Sequence, residues 1–136
     1  MKRTISIVLI AFVFSLALAS CGEESSNSIR VVMTDFAFSP NTFTVTAGQP
    51  ISVELVNNGA ATHSFVIMQA GYQVQGHFTD ADRTHVLWQV SAVAPGQSMT
   101  QTFTAPSDPG EYQVVCANPA HFESGMVAKL VVVKAP

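Results

Sequence analysis

The chain has 136 residues, and the first 20 read as a removable leader, so 116 remain: enough for one compact domain and too few for two. Nine acidic residues stand against six basic ones, and two of the basic residues, Lys2 and Arg3, lie in the leader, so the remainder carries four against nine, a net −5. Nucleic acid, whose phosphates require a basic surface, is thereby excluded as a partner. With 11% charged and 48% hydrophobic residues, the chain holds apolar material for a core and is not a disordered one.

Met1-Lys2-Arg3 is a positive n-region, and Ile5 to Ala19 is an apolar stretch too short for a comfortable membrane span, so residues 1–20 read as a signal peptide. Leu18-Ala19-Ser20-Cys21 resembles the bacterial lipobox, which implies lipidation of Cys21 and an anchored protein on the extracytoplasmic (periplasmic or cell-surface) side of the membrane. Two or more acyl chains hold a protein stably at a bilayer, at about 0.8 kcal/mol per buried methylene, where one chain binds marginally. Gly22 to Ser28 is then a polar tether of at most about 25 Å. Residues 29–136 form the domain.

From Ile29 onward, short alternating runs are separated by turn residues and no helical stripe is present, which predicts an all-β sandwich or barrel. The runs are Ile29–Phe36, Thr42–Thr46, Ile51–Asn57, His63–Met68, Val86–Val90, Met99–Thr104, Glu111–Cys116 and Met126–Val133, about eight strands. Between them lie Ser39-Pro40-Asn41, Gly48-Gln49-Pro50, Asn57-Asn58-Gly59, Pro95-Gly96 and Pro106 to Gly110, which supply the backbone angles that turns need. Alternation places Phe43, Val45, Val53, Leu55, Met99, Phe103, Tyr112, Val114, Leu130 and Val132 inward. Extending each phase turns His63, Cys116 and Met126 inward too. Gln69 to Val93 is less regular and reads as an excursion with one helical turn or an extra strand. Its His77, Asp80, Asp82 and His85 are residue types that can bind a metal but are equally common on solvated loops.

Cys116-Ala-Asn-Pro-Ala-His121-Phe-Glu-Ser-Gly-Met126 carries the chemistry. A strand-end thiolate, a turn imidazole and a thioether at the next strand's start suit one loop folded around an ion, with His63 supplied from upstream. Taken singly, the Cys and Met pass for small core residues and the histidines for ordinary ones. Together they form an ordered set around an unpaired thiol in an oxidising compartment, where a free thiol is a liability and ligation gives it a use. Soft sulfur donors with two imidazoles select copper, and two histidines, a cysteine and a weak axial methionine characterise electron-transfer copper sites. Magnesium and calcium are excluded by ligand type.

With this loop, the stretch Phe38-Ser-Pro-Asn-Thr-Phe-Thr-Val-Thr-Ala-Gly-Gln-Pro50, the Val56-Asn57-Asn58 turn and Thr62-His63-Ser64-Phe65, the chain resembles the cupredoxin (type 1 blue copper) family from about Ile29 to Ala135. Its two four-residue gaps are similar to those of the auracyanin and rusticyanin branch, and membrane attachment and the long segment before Met99 favour an auracyanin-like member. The resemblance implies a Greek-key β-sandwich, one type 1 copper ion held equatorially by His63, Cys116 and His121 and axially by Met126, and one-electron transfer as the task. Thr62 precedes His63 where an Asn is expected, so the Thr62 hydroxyl and Asn118 are the candidates for bracing the Cys loop.

Ala117, Pro119, Ala120 and Phe122 surround His121, whose outer edge is expected to emerge through an apolar patch that docks transient partners. Those partners are expected to be membrane-associated redox complexes or a cytochrome c, met by a monomer. Oxidase or nitrite reductase chemistry requires a further copper centre, for which only His77 and His85 remain, and a single mature Cys excludes a two-copper centre. The expectation is an electron carrier and not an enzyme. A copper-storing or copper-delivering lipoprotein is the alternative, and a metal-free sandwich for adhesion is the third reading.

Overall fold

Runs of Val, Ile, Thr and Phe closed after five to eight residues by Pro, Gly or Asn are too short to bury a helical stripe, and they pair as strands. In the computed structural model, which describes residues 26–135, they form β1 (Ser28–Thr34), β2 (Ala37–Ser39), β3 (Thr42–Thr46), β4 (Pro50–Asn57), β5 (His63–Met68), β6 (Val86–Val93), β7 (Ser98–Thr104), β8 (Gly110–Val115) and β9 (Val127–Val133). The predicted leader and Cys21 lie outside the described residues. One sheet has the order β2-β1-β4-β7 and the other β3-β9-β8-β5-β6. The pairs β1/β4 and β3/β9 are parallel and the rest antiparallel, because the chain passes repeatedly from one sheet to the other, as a Greek-key sandwich requires.

The residues assigned inward by alternation are buried between the sheets, apart from Met99, which is half-buried against the core. Phe65 sits among Phe38, Phe43 and Trp88, with ring centroids 5.5, 5.9 and 6.4 Å away, and Trp88 stacks on Phe103 at 5.1 Å. Each such side chain, fully removed from water, contributes about 1.5–3 kcal/mol.

Three features depart from the sequence-based expectation. Nine strands are present among the described residues instead of about eight, because the run expected to extend to Phe36 stops at Thr34, turns at Asp35 and Phe36, and returns as the three-residue β2 against β1. A strand with one inward residue, Phe38, has too little alternation to be recognised. Second, β5 is buried along its whole length. Its outer face is covered by residues of the 69–85 excursion, where Val74 joins Val66, Met68 and Val115 in a second small core with Tyr72, Phe78 and Val86 against it. Third, Ser26–Ser28, expected in the tether, lie along the sandwich: the Ser26 amide donates to the Thr44 carbonyl at 3.3 Å and the Ser52 amide to the Asn27 carbonyl at 2.9 Å. Among the described residues no helix is long and apolar enough to cross a membrane.

Candidate metal centre

Two loops at one end of the sandwich build the site. The first joins β4 to β5. Asn57, fully buried, donates through Nδ2 to the carbonyls of Ala61 and Val93, each at 2.8 Å, and accepts the Gly59 amide at 2.8 Å on Oδ1. The Asn57-Asn58-Gly59 turn is thereby tied to β6, and His63 enters β5 facing the interior.

The second loop, residues 117–125, is clasped at its ends. The Cys116 amide donates to the Met126 carbonyl at 3.2 Å and the Met126 amide to the His121 carbonyl at 3.0 Å, which bring three residues spread over eleven positions to one place. Bonds from the amides of His121 to Asn118, Ser124 to Ala120 and Gly125 to Phe122 wind the intervening chain into consecutive turns.

The ligating atoms converge: His63 Nδ1 lies 3.1 Å from His121 Nδ1, and Cys116 Sγ lies 3.3 Å from the same nitrogen. All three residues are buried, their ligand atoms lie within 4.8 Å of one another, and Met126 at the loop's end is fully buried. An ion about 2.0–2.3 Å from nitrogen and sulfur donors arranged trigonally spans donor-to-donor edges of about 3.5 Å, close to the 3.1 and 3.3 Å that His121 Nδ1 makes with His63 Nδ1 and Cys116 Sγ. Burial, followed by the neighbouring His63, pushes the His121 imidazole below its ordinary basicity, with Asp35 and Glu123 opposing. A neutral ring with a free lone pair is what a metal requires. The donor set, with soft sulfur and no carboxylate, fits copper.

Residues the sequence analysis did not single out complete the surroundings. Ser64 braces the thiolate: its amide is 3.4 Å and its Oγ 3.5 Å from Cys116 Sγ, and Oγ accepts the Ala117 amide at 2.8 Å. The bracing expected of Thr62 is corrected accordingly. Thr62 contributes its carbonyl, which accepts from Asn118 Nδ2 at 2.6 Å, so Asn118 ties the two loops together while the Cys116 sulfur is served by Ser64, two positions on. Asp35, from the β1–β2 turn, places Oδ1 2.8 Å from His63 Nε2. Its neighbour Phe36 sets its ring edge-on to His121, with centroids 4.8 Å apart, and is 40% exposed. Phe122, expected on the exposed rim, is half-buried against the second small core.

Among the described residues His63, Cys116 and His121 are the one such cluster, so the excursion's polar residues form no second one. Asp82 is buried and accepts from the amide and hydroxyl of Thr79 and from the Tyr72 hydroxyl, His85 stacks on Tyr72 at 3.9 Å, and Asp80 pairs with Arg83 at 3.0 Å.

Residues 5–132 match the family model of the cupredoxin-like domain. The copper-resistant cuproprotein CopI of Rubrivivax gelatinosus is 34% identical over 118 residues, which cover 80% of this chain and 68% of that protein. Auracyanin-A of Chloroflexus aurantiacus is 24% identical over 97% of this chain and 99% of its own. Among solved structures, dithionite-reduced auracyanin of Roseiflexus castenholzii superposes with a TM-score of 0.69 at 33% identity, covering 83% of this chain and all of the other. Reduced rusticyanin superposes with a TM-score of 0.56 at 24% identity, over 81% of this chain and 82% of its own. With sandwich, converging donors and matched family model in agreement, the chain belongs to the cupredoxin-like family, of the auracyanin kind, and its cofactor is copper.

Proposed function

We propose that the protein is a one-electron carrier that works at a membrane surface, held there by a lipid on Cys21, with His63, Cys116 and His121 as equatorial ligands and Met126 as the axial one. The convergence of two imidazole nitrogens and a thiol inside a buried, clasped frame carries this reading. Copper, when bound, supplies the +1/+2 couple. Cys116 contributes a strongly donating thiolate, His63 and His121 neutral donors acceptable to both oxidation states, and Met126 a weak thioether that tunes the potential. The start of β5, the end of β8 and the clasped loop between β8 and β9 hold these groups, so that little rearrangement accompanies gain or loss of an electron.

His121, 8% exposed, lies just under the surface next to Phe36, Pro119 and Ala120. This rim is the docking surface for membrane-associated redox complexes or a cytochrome c, with Phe36 as its exposed aromatic residue. On this reading the protein is a carrier and not an enzyme. A copper-handling role is the second reading, favoured by the relative named for copper resistance. Visible and EPR spectra of the copper-loaded domain, followed by voltammetry, separate the two. An intense blue band with a reversible couple is the expected result, and a colourless or slowly exchanging complex would favour copper handling.

A further inference from the structure

His63 carries a proton or a partner on each ring nitrogen, and the two sides differ. Nδ1 faces His121 and Cys116, whereas Nε2 meets the Asp35 carboxylate at 2.8 Å. Asp35 is itself held in place: its Oδ2 accepts the Ala60 amide at 2.8 Å and its Oδ1 the Ala61 amide at 3.2 Å. The fit is close. A Cβ on Gly59 would lie 2.3 Å from Asp35 Oδ1 and 2.9 Å from His63 Nε2, so the turn passes directly over this hydrogen bond and admits only glycine. His63 is fully buried and Asp35 is 30% exposed through its side chain, so one end of the pair is locked and the other reaches solvent.

We propose that Asp35 is the positioning residue of this centre, fixing the His63 tautomer and setting the balance between the two copper oxidation states. The inference rests on His63 being a copper ligand. A carboxylate accepts the Nε2 proton, which leaves the Nδ1 lone pair directed at the ligand cluster before any ion arrives. An anionic partner also makes the imidazole a stronger donor than a neutral one would, and a stronger donor favours the electron-poor cupric ion. The β1–β2 turn thus acts on both histidines: Asp35 holds the buried ring from behind and Phe36 covers the ring nearer the surface.

The test compares reduction potentials of Asp35→Asn, Asp35→Glu and the native copper-loaded protein, with the visible spectrum of each. Asp35→Asn keeps an oxygen acceptor but removes the charge. The expected result is a retained blue band with a roughly tenfold loss of preference for cupric over cuprous ion, a rise of about 59 mV for one electron. Asp35→Glu, which keeps the charge, should return the potential toward the native value. An Asp35→Asn potential equal to the native one would overturn the inference, because a merely structural brace predicts no shift. A second measurement needs no variant to fold. Nitrogen NMR of the native protein in its copper-free form should find the His63 proton on Nε2, and a proton on Nδ1 would refute the tautomer. A native protein without a blue band would instead refute the copper reading itself, so the two failures are told apart.

Discussion

At the site, the roles of the four ligands differ enough to be separated by substitution. Cys116→Ser should abolish the intense blue band, because that band is sulfur-to-copper charge transfer and an alcohol oxygen is a harder, weaker donor. Met126→Leu should retain copper and colour through the trigonal set and raise the reduction potential, since losing the thioether destabilises the cupric state more than the cuprous one. Spectra and voltammetry of the pair check both, and Met126→Leu losing copper while Cys116→Ser stayed blue would discard the assignment. Ser64→Ala addresses the sulfur from the other side. Its hydroxyl lies against Sγ and draws electron density from the thiolate, so its removal should lower the potential, read by voltammetry. It also deprives the Ala117 amide of its acceptor, which should cost about 1 kcal/mol in a denaturant melt of the copper-free protein.

Single elements carry the predictions for the proposed docking surface and for acid stability. The β1–β2 turn presents Phe36 beside His121, so Phe36→Ser, which removes the apolar ring without adding charge, should slow electron exchange with a cytochrome c by tenfold or more and leave the blue band in place. Stopped-flow kinetics check this, and an unchanged rate would move the entry point elsewhere. Phe122→Ala, which removes packing from the second small core, should lower the melting temperature more than the exchange rate. The excursion is held by Asp82. Burial alone would raise its pKa, but hydrogen bonds from the Thr79 hydroxyl, the Tyr72 hydroxyl and the Thr79 amide outweigh this and hold the carboxyl below the usual range. Its folded pKa therefore lies below the unfolded value of about 4, so the ionised form contributes stability that is fully present above pH 4 and is lost as pH falls through the lower folded value. Asp82→Asn should lower the melting temperature by roughly 4 °C at pH 7, the shift produced by about 1 kcal/mol in a domain of this size, and the difference should vanish in strong acid. Melting curves from pH 2 to pH 7 check the sign.

For the molecule as a whole, the proposed anchor and the centre are expected to be independent. If Cys21 carries the proposed lipid, Cys21→Ala should move the protein from the membrane fraction to the soluble one with its blue band unchanged, because Cys21 is remote in sequence from His63, Cys116, His121 and Met126. Fractionation followed by a visible spectrum checks it. A variant still firmly membrane-bound would point to an uncleaved N-terminal helix.

Much of this protein was legible along the chain because its chemistry is local in sequence. Period-two alternation identifies the strands and their inward faces, since neighbouring side chains on a strand point to opposite sides of the sheet. Cys116, His121 and Met126 share one loop, and His63 starts an apolar run, so donor type and spacing identify copper without any coordinates. What only the tertiary structure decided is what pairing brings together. Asp35 lies 28 positions before His63 and reaches it because β1 runs parallel to β4, with Met33 opposite Asn57, so that the turn after β1 and the turn after β4 meet. Ser64 could be read from the sequence as the residue after His63, but its contact with a thiol 52 positions away requires β5 to lie beside β8. The exposure of Phe36 and the burial of Phe122 were decided in the same way. Both are aromatic residues in loops, and whether such a ring is covered depends on which segment folds across it, here the excursion over the outer face of β5.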